Sequence, residues 1–213
     1  MKRKSLTVTL RIDSYIADPY WPESAAVIDI QKKSGMNRCQ TDKTREKALK
    51  AYLDKEGITL KDYERLVELR KRPWYRADNF DESSPIVIPR HHISAALVQT
   101  VKTAPSAAKA GYKEDSLRHM IQLSDFATIP NAKTAMRSWE RFVKLDASNQ
   151  RSLQKNEVME NFECAGVAMV HHETKIKDLE TLFAWMVEEV GVGASRKMGY
   201  GRGDLVSVVE AVD

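Results

Sequence analysis

The sequence predicts an α+β protein in which one sheet packs against helices. Residues 6–12 alternate apolar and polar side chains, which is typical of a half-buried strand. Residues 176–190 repeat apolar side chains at helical spacing, and residues 205–212 are rich in β-branched residues. With an apolar run at residues 163–170, these segments follow the order strand, helix, glycine-rich loop, strand. That order is the second half of a ferredoxin-like fold, in which sheet and helices form two layers.

The N-terminal third is predicted to carry an inserted helical region after the first strand. Residues 18–22 are typical of a loop, and residues 25–30 form an apolar run that fits either a strand or a buried turn of helix. Residues 41–55 are helix formers that stop at Gly57, and residues 59–62 can cap a second helix that ends before Pro73. We expect a charged helical hairpin over about residues 38–80. Its apolar face is thin, so we expect it to project from the body without a core of its own.

The middle of the chain is predicted to mix short strands, loops and one helix. Residues 85–88 indicate a strand, and a helix over residues 91–102 follows Pro89. Residues 103–116 are small, polar and contain Pro and Gly, so we expect a loop there. Residues 120–123 resemble a strand, and a loop with Pro130 follows. Residues 139–145 indicate one arm of a hairpin whose turn lies at residues 146–150.

Composition excludes several classes of protein. The 213 residues are enough for one large domain or for one domain with an insertion. The 34 Lys and Arg exceed the 30 Asp and Glu by only four, so bulk charge alone does not argue for a polyanionic partner. Two distant cysteines without a C-x-x-C motif predict neither a disulfide framework nor a zinc site. No apolar stretch approaches the roughly 20 residues that span a bilayer, so we expect a soluble, cytoplasmic protein without a membrane partner.

The glycine loop, residues 191–203, is the segment that best suits contact with nucleic acid. It combines five glycines with Arg196, Lys197 and Arg202. Glycine lets backbone N–H groups approach a phosphate, and the three cations supply the matching charge. The alternative is a flexible turn between helix and strand. The loop is neither a Walker A nor a Rossmann motif, because it lacks a Gly-Lys-Ser/Thr ending and follows a helix.

Three segments in order resemble a known family. The glycine loop has the form Gly-x-Gly-x-x-Arg-x-x-Gly-(Tyr/Phe)-Gly-Arg, and residues 88–97 follow a proline into a helix. Residues 139–146 and 160–166 resemble a β-hairpin followed by a strand that ends in glycine. This arrangement resembles the repeat-associated mysterious proteins (RAMPs) of CRISPR effector complexes. The chain departs from their pattern where His91 and His92 replace serines and where Ala95 and Ala96 replace Lys-Gly.

The resemblance implies a single RAMP-type domain over residues 1–213, with a ferredoxin-like (RRM-like) palm and a thumb-like β-hairpin over about residues 137–163. It implies a multi-copy backbone subunit that stacks in a helical filament along guide RNA, with a target strand (DNA or RNA) and other effector subunits as partners. Guide phosphates would lie across the N-terminus of the 91–102 helix and along the glycine loop, where helix amides and cations favour anions.

The residues that the resemblance places against RNA fall into four groups: the base of the helical hairpin, the helix N-terminus, the thumb and the glycine loop. Tyr200 would stack on a base or ribose. Outward cations on a strand and a solvated helical hairpin are the alternatives for the thumb and hairpin groups. The candidates are Arg38, Lys43, Arg45, Arg90, His91, His92, Ser94, Arg141, Lys144, Gly193, Ser195, Arg196, Lys197, Gly199, Tyr200 and Arg202.

Neither catalysis nor a cofactor is predicted. Four of the five histidines form the adjacent pairs 91–92 and 171–172, whose members we expect to point apart, so no metal site is indicated. A guide-processing endoribonuclease of the superfamily commonly uses an early histidine as general base, and none precedes His91. Some type III backbone subunits cleave target RNA with an early Asp, for which Asp29 is the positional candidate although its neighbours do not match. A single-copy subunit that caps the guide's 5′ handle and an unrelated ferredoxin-like binding module stay open as alternatives.

Overall fold

The structure, a computed structural model, describes residues 2–17, 22–71, 74–78, 81, 83–130, 137–144 and 151–211. At residues 22–25, 69–71, 137–144 and 151–156 it describes the backbone alone. The chain divides into two compact units. The larger unit comprises Met1–Asp18 and Pro73–Asp213, and the smaller unit comprises Pro19–Arg72.

The larger unit is built on an antiparallel sheet. Within the described residues its strands are β1 (Arg3–Tyr15), β2 (Val87–Ile88), β3 (Gln122–Leu123), β4 (Phe126–Ile129), β5 (Arg137–Lys144), β6 (Arg151–His171) and β7 (Gly203–Glu210). Their order is β2-β4-β6-β1-β7, while β3 and β5 pair with opposite ends of β6. Every described pairing is antiparallel. The long β6 holds the sheet together because it contacts four other strands.

The helices of both units complete the element list. In chain order they are α1 (Pro22–Lys33), α2 (Asp42–Glu56), α3 (Leu60–Lys71), α4 (Arg90–Thr103), α5 (Ser106–Lys109), α6 (Glu114–Met120) and α7 (Ile176–Trp185). One π-helical turn, Met186–Val190, extends α7, and single 3₁₀ turns lie at Met36–Arg38 and Arg196–Met198. No helix in the described part of the chain is long and apolar enough to cross a bilayer.

The order β1, α4, β4, β6, α7, β7 is the β-α-β-β-α-β arrangement of a ferredoxin-like fold. The central strands β1 and β6 are flanked by β7 and β4, as that topology requires. The predicted fold class is therefore confirmed. Apolar side chains from one face of β1 and β6 pack against α4 and α7, and this core excludes water almost completely. Its members include Leu6, Val8, Leu10, Ile93, Leu97, Cys164, Leu179, Leu182 and Phe183.

The smaller unit has a hydrophobic core of its own, so the expectation of a hairpin without a core is wrong. Residues 25–30 lie in α1, not in a strand, and Val27 and Ile30 from this helix are buried together with Leu49, Leu53 and Tyr63. Helix α1 supplies the apolar surface that α2 and α3 lack. The unit therefore spans Pro19–Arg72, whereas the predicted insertion covered about residues 38–80.

The hairpin within the smaller unit begins and ends as its sequence predicts. The Thr41 hydroxyl accepts a hydrogen bond from the Thr44 amide, and the Thr44 hydroxyl accepts one from the Thr41 amide. These two reciprocal bonds form a capping box at the start of α2. Gly57 ends this helix with a φ of 68°. The left-handed conformation at that position suits glycine.

Short elements in the middle of the larger unit differ from prediction. The expected loop over residues 103–116 contains α5 and the start of α6, and Met120 ends α6 and is not part of a strand. Strand β4 was not predicted. Strand β5 pairs with the first part of β6, from Arg137 opposite Val158 to Lys144 opposite Arg151, where a hairpin arm was expected. The predicted turn at residues 146–150 lies outside the described residues.

Candidate nucleic-acid interface

The glycine loop is held in place by backbone hydrogen bonds to the end of β1 and the residues that follow it. The Ala194 amide donates to the Ile16 carbonyl at 2.9 Å, and the Gly201 amide donates to the Ser14 carbonyl at 2.5 Å. Within the loop, the Val192 amide donates to the Gly201 carbonyl at 2.9 Å. These hydrogen bonds fix the backbone conformation of the loop and therefore the positions from which its side chains extend.

The glycines of the loop serve two different purposes. A Cβ at Gly193, where φ is 85°, would overlap the Tyr15 ring, and a Cβ at Gly201 would overlap the backbone of Val192. At these two positions glycine allows the loop to pack against its own chain. Gly199 has a φ of 89°, and a Cβ added there would meet no heavy atom within 4 Å, so it alone among these three leaves open space for a ligand.

Three cations of the loop face a cavity of about 510 Å³ beside α4. Arg196, Lys197 and Arg202 line it together with one carboxylate, that of Glu189. Among the described residues, none of these three cations takes part in an ion pair. The Arg196 Nη1 atom is buried and has no hydrogen-bond partner among them. An unpaired buried donor costs free energy, which a turn of the guanidinium towards an anion in the cavity would recover.

The rest of the lining of this cavity includes polar and aromatic side chains. Gln99 and Thr103 lie one helical turn apart on α4, and Trp185 is the last residue of α7. Amide and hydroxyl groups beside unpaired cations suit a ligand that carries both phosphate and hydroxyl oxygens. The sequence analysis did not single out these residues, although the four-residue spacing of Gln99 and Thr103 on a predicted helix was visible.

The N-terminus of α4 differs from the site that the sequence predicted. Its first amide, that of Arg90, donates to the Asp125 carboxylate at 2.7 Å, and the His92 amide donates to the Pro89 carbonyl at 2.9 Å. A carboxylate therefore already occupies the position where a guide phosphate was expected to meet the helix amides. The cations and hydroxyl around this end, which include Arg90 and Ser94, face a second cavity of about 540 Å³.

The two adjacent histidines of α4 have different environments. His92 is half-buried, and its Nδ1 atom is hydrogen-bonded to the buried Tyr15 hydroxyl at 2.8 Å. Burial lowers the pKa of His92 to about 4, with the nearby His91 and Arg196 acting in the same direction. His91 is exposed, and its ring meets the Tyr75 ring edge-on with centroids 5.3 Å apart. We therefore assign His92 to the link between α4 and β1.

The histidine pairs do not point apart as expected. The ring centroids are 4.7 Å apart in the pair His91 and His92, and 4.4 Å apart in the pair His171 and His172. The two rings of each pair are inclined to each other, at 78° and 55° respectively, and they are in contact at these distances. Within the part of the chain that the structure describes, there is still no group of three His, Cys, Asp or Glu side chains that could hold a metal ion.

The candidates in the smaller unit are exposed, and one of them is already paired. Arg38 lies in a 3₁₀ turn and Lys43 lies in the first turn of α2. Arg45 donates to the Cys39 carbonyl at 3.2 Å and pairs with Asp42 at 3.2 Å. These partners reduce the availability of Arg45 for phosphate.

Asp29, the positional candidate for catalysis, lies on helix α1 and not in a loop. Its carboxylate pairs with Lys33 one turn later at 2.7 Å, and both side chains are more than half exposed. Exposed pairs of this kind are common helix-surface features. Nothing in this exposed ion pair prepares the Asp29 carboxylate for a catalytic role.

The remaining candidates lie on strand β5 and in the glycine loop. Arg141 and Lys144 are on β5, opposite Gln154 and Arg151, and their side chains lie outside the described part of the structure. In the loop, Tyr200 and Ser195 are half-buried. Ser195 has a φ of 56°, and its carbonyl accepts the Met198 amide at 2.9 Å to close the 3₁₀ turn that carries Arg196 and Lys197.

Comparison with known proteins supports the class of fold. No protein-family model matches the sequence, and no curated protein matches it either. The structure resembles a chain in the cryo-EM structure of the Type III-B Cmr-beta bound to cognate target RNA, with a TM-score of 0.51 and 8% sequence identity. The likeness covers 99% of this chain and 62% of that chain, so this chain spans less than two thirds of its relative. At that identity the likeness shows a shared fold.

A second structure is more distant. The crystal structure of Cmr6 from Pyrococcus furiosus aligns with 99% of this chain and 100% of its own length, at 11% identity and a TM-score of 0.36. A score at that level supports no conclusion about this chain.

Proposed function

We propose that the chain is a RAMP-type, guide-RNA-binding subunit of a CRISPR effector complex, and that it is the multi-copy backbone subunit. The shared fold with a chain of the RNA-bound Type III-B Cmr-beta supports the class of protein. The order of the three RAMP-like segments supports the family. Its partners would be guide RNA, a target strand of DNA or RNA, further copies of itself in a helical filament, and other effector subunits.

The observation that carries the proposal is the group of glycine-loop cations that form no ion pair with any described residue. Arg196, Lys197 and Arg202 face one cavity, and the buried Arg196 Nη1 has no acceptor among the described residues. Three cations on one cavity repel each other, and the described residues give them one nearby carboxylate, Glu189, and no ion pair. A phosphate strand supplies acceptors for all three and releases its own counterions on binding.

Binding would proceed through the backbone of the RNA. The Arg196 guanidinium, held by the 3₁₀ turn, would donate to one phosphate, and Lys197 and Arg202 would neutralise the adjacent ones. The open space around Gly199 would let the strand pass close to the loop. Because these contacts are to phosphates, they position the strand without reading its sequence, which is what a subunit serving many different guides requires.

The test is the affinity of the full chain for a short single-stranded RNA. We expect the combined variant Arg196→Gln, Lys197→Gln and Arg202→Gln to weaken binding by at least about tenfold and to flatten the salt dependence by about two in logarithmic slope, at roughly 0.7 per phosphate contact. The control is Lys113→Gln, Lys175→Gln and Lys177→Gln, which removes three exposed lysines of the same unit. Equal losses in the two variants would contradict a specific role for the loop.

We further propose that the subunit does not cleave RNA. The ion-paired Asp29 on the surface of α1 favours this choice. Repeat RNA and guide-matched target RNA should stay intact when incubated with the protein, with and without a divalent metal. Discrete products that disappear with Asp29→Ala or with a histidine substitution would contradict it.

The backbone assignment is tested by stoichiometry. Native mass spectrometry of the assembled complex should find several copies of this chain for each guide RNA. A single copy would instead identify a capping subunit at the guide's 5′ handle.

A further inference from the structure

The sheet of the larger unit has two faces, and in the described part of the chain helices cover only one of them. Side chains directly opposite each other on antiparallel strands lie on the same face. Leu6 and Ala168, which are opposite each other, are buried in the core. Their neighbours Ser5, Thr7 and Val167 therefore point to the other face, and all three are partly exposed. We call the face away from the helices the open face.

The middle of the open face carries no charged residue at its described positions, although 30% of the residues of the chain are charged. A sheet face that meets only water usually has polar side chains on its outward positions. Here Met169, Ile129 and Val209 are 40%, 46% and 52% exposed. Few charges and exposed apolar side chains are typical of the centre of a protein interface. The positions are Ser5, Thr7 and Thr9 of β1, Gln122 of β3, Ala127 and Ile129 of β4, Ala165, Val167 and Met169 of β6, and Ser207 and Val209 of β7.

The open face lacks the groups that hold RNA on a sheet. Sheets of RRM type bind RNA by stacking bases on aromatic side chains. The positions of the open face that the structure describes include no aromatic residue. The cavity of the glycine loop is lined by residues of α4 and α7, which pack on the other face. The open face therefore suits a protein partner and is separate from the proposed RNA site.

One end of the open face carries a free cation. Arg3 is exposed and takes part in no ion pair with a described residue. His171 is opposite Arg3 on β6. The nearby carboxylate of Glu173 follows the end of the sheet and lies within 4.0 Å of both His171 and His172. Glu173 therefore already has partners, and Arg3 is available to an external carboxylate.

The opposite end of the open face carries an unpaired carboxylate. Glu163 is half-buried and forms no ion pair within the described ranges. Arg11 is opposite Glu163 on β1 but pairs with Asp204 of β7, so these two charges neutralise each other. At about 3.4 Å per residue, the strand from Arg3 to Arg11 separates the two ends by about 27 Å. The open face is thus positive at one end and negative at the other.

We infer that the open face binds the open face of a second copy of this chain, with the strands of the two copies antiparallel. A twofold axis perpendicular to the strands near Thr7 and Val167 would place the Arg3 end of each copy against the Glu163 end of the other. Two sheets that pack face to face lie about 10 Å apart, and small side chains such as Thr and Ala allow that approach. The contact joins two proteins, so it does not rest on the proposed RNA binding.

The open face is large enough for a dimer. Four strand positions about 4.8 Å apart and nine residues at about 3.4 Å each give a footprint of about 600 Å² for each copy. Two copies would bury about 1,200 Å², which is the lower limit for specific interfaces. We therefore expect a dissociation constant in the micromolar range. A twofold contact closes with two copies, so it differs from the repeated contact that builds a filament.

The first test measures the mass of the full chain in solution without RNA. Sedimentation equilibrium at about 1–100 µM should show monomer and dimer. Thr7→Lys brings two like charges together near the twofold axis and should weaken dimerisation by about tenfold or more. Thr181→Lys, the same change at an exposed position of α7, should leave the dimer unchanged. A monomer at every concentration, or equal dimerisation of the two variants, would overturn the inference.

The second test reverses the charges at the two ends. Arg3→Glu leaves both ends acidic and Glu163→Lys leaves both ends basic, so each variant alone should dimerise about tenfold more weakly than the unmodified chain. An equimolar mixture of the two variants should recover the dimer, because every pair of facing ends then joins opposite charges. The two positions are about 27 Å apart within one chain, so this recovery cannot arise inside a monomer. A mixture that dimerises no better than its components would refute the antiparallel arrangement.

The dimer and the proposed function fail in distinguishable ways. If the chain is monomeric and Val167→Asp weakens RNA binding as much as the glycine-loop variant does, the open face binds RNA and the inferred dimer is wrong. If the dimer forms and responds to Thr7→Lys while the glycine-loop variant leaves RNA affinity unchanged, the proposed function fails and the dimer stands.

Discussion

Acidification should destabilise the larger unit through His92. This imidazole is half-buried at the start of α4, where its Nδ1 atom is bonded to the Tyr15 hydroxyl at 2.8 Å. It faces the rings of Tyr15, Tyr75 and His91 and the positive charge of Arg196, and no carboxylate of the described residues is among the causes of its pKa shift. Protonation would place a charge in this setting without a counter-ion.

The magnitude follows from the pKa of His92 in the folded and unfolded chain. Burial holds the folded pKa at about 4, and an unfolded histidine titrates near 6.5. Because the folded pKa is lowered, the unfolded chain takes up the proton first, and stability is lost as the pH falls from about 6.5 towards 4. Between pH 7 and pH 5 the free energy of unfolding should decrease by about 2 kcal/mol through this residue.

The assay is urea unfolding at pH 7 and pH 5, followed by tryptophan fluorescence. Trp74 is a local reporter, since its ring centroid lies 5.9 Å from that of Tyr15. The comparison is His92→Asn, whose side-chain oxygen can still accept from Tyr15 but does not titrate. The pKa of His91 is also lowered, and this residue is present in both proteins, so its contribution cancels. An equal loss of stability in both proteins would refute the reasoning.

Two further predictions concern the packing around the same site. Gly193→Ala should destabilise the protein by more than about 2 kcal/mol because its Cβ overlaps the Tyr15 ring, whereas Gly199→Ala should cost only about 1 kcal/mol of left-handed backbone strain; thermal unfolding of the two variants should show this order. Trp74 Nε1 donates to the Glu157 carboxylate at 2.6 Å, so a double-mutant cycle of Trp74→Phe and Glu157→Gln should give a coupling of about 1–2 kcal/mol. Equal losses in the glycine pair, or no coupling in the cycle, would contradict these packing arguments.

Elements with a strong local pattern could be predicted from the sequence. The alternation in residues 6–12 lies in β1, and the helical repeat in residues 176–190 lies in α7 and the π-turn that follows it. The stop at Gly57 ends α2, and the predicted cap at residues 59–62 is present, because the Asp62 amide donates to the Thr59 hydroxyl at 3.1 Å. In each case the signal comes from neighbours along the chain, which is where side-chain periodicity and capping act.

Short elements could not be predicted because distant partners stabilise them. Strand β4 has four residues, and its pairing with β6 joins Ala127 to Ala165. Helix α5 also has only four residues, within a stretch whose Pro and Gly favour a loop. Neither element carries enough periodic side chains to be recognised without knowledge of the surface on which it packs.

The charged residues of the candidate site were predicted from the sequence, whereas the residues that surround them in the fold were not. The cations of the glycine loop are visible in the sequence. Their position between the last helix and the last strand could also be predicted, because both elements have strong local patterns. Arg118, by contrast, belongs to a helix that was not predicted, and it lines the same cavity as Arg90 only in the folded chain. The Asp125 carboxylate that caps Arg90 is 35 residues away, so no local pattern indicated it.

Contact between the glycine loop and RNA is tested most directly by photocrosslinking. The full chain is bound to thiouridine-labelled single-stranded RNA, irradiated, digested and analysed by mass spectrometry. We predict crosslinked nucleotide in residues 197–202, which surround the open space at Gly199, and its loss in the Arg196→Gln, Lys197→Gln and Arg202→Gln variant. Crosslinks that lie only outside residues 191–203 and persist in the variant would contradict the claim that this loop holds the strand.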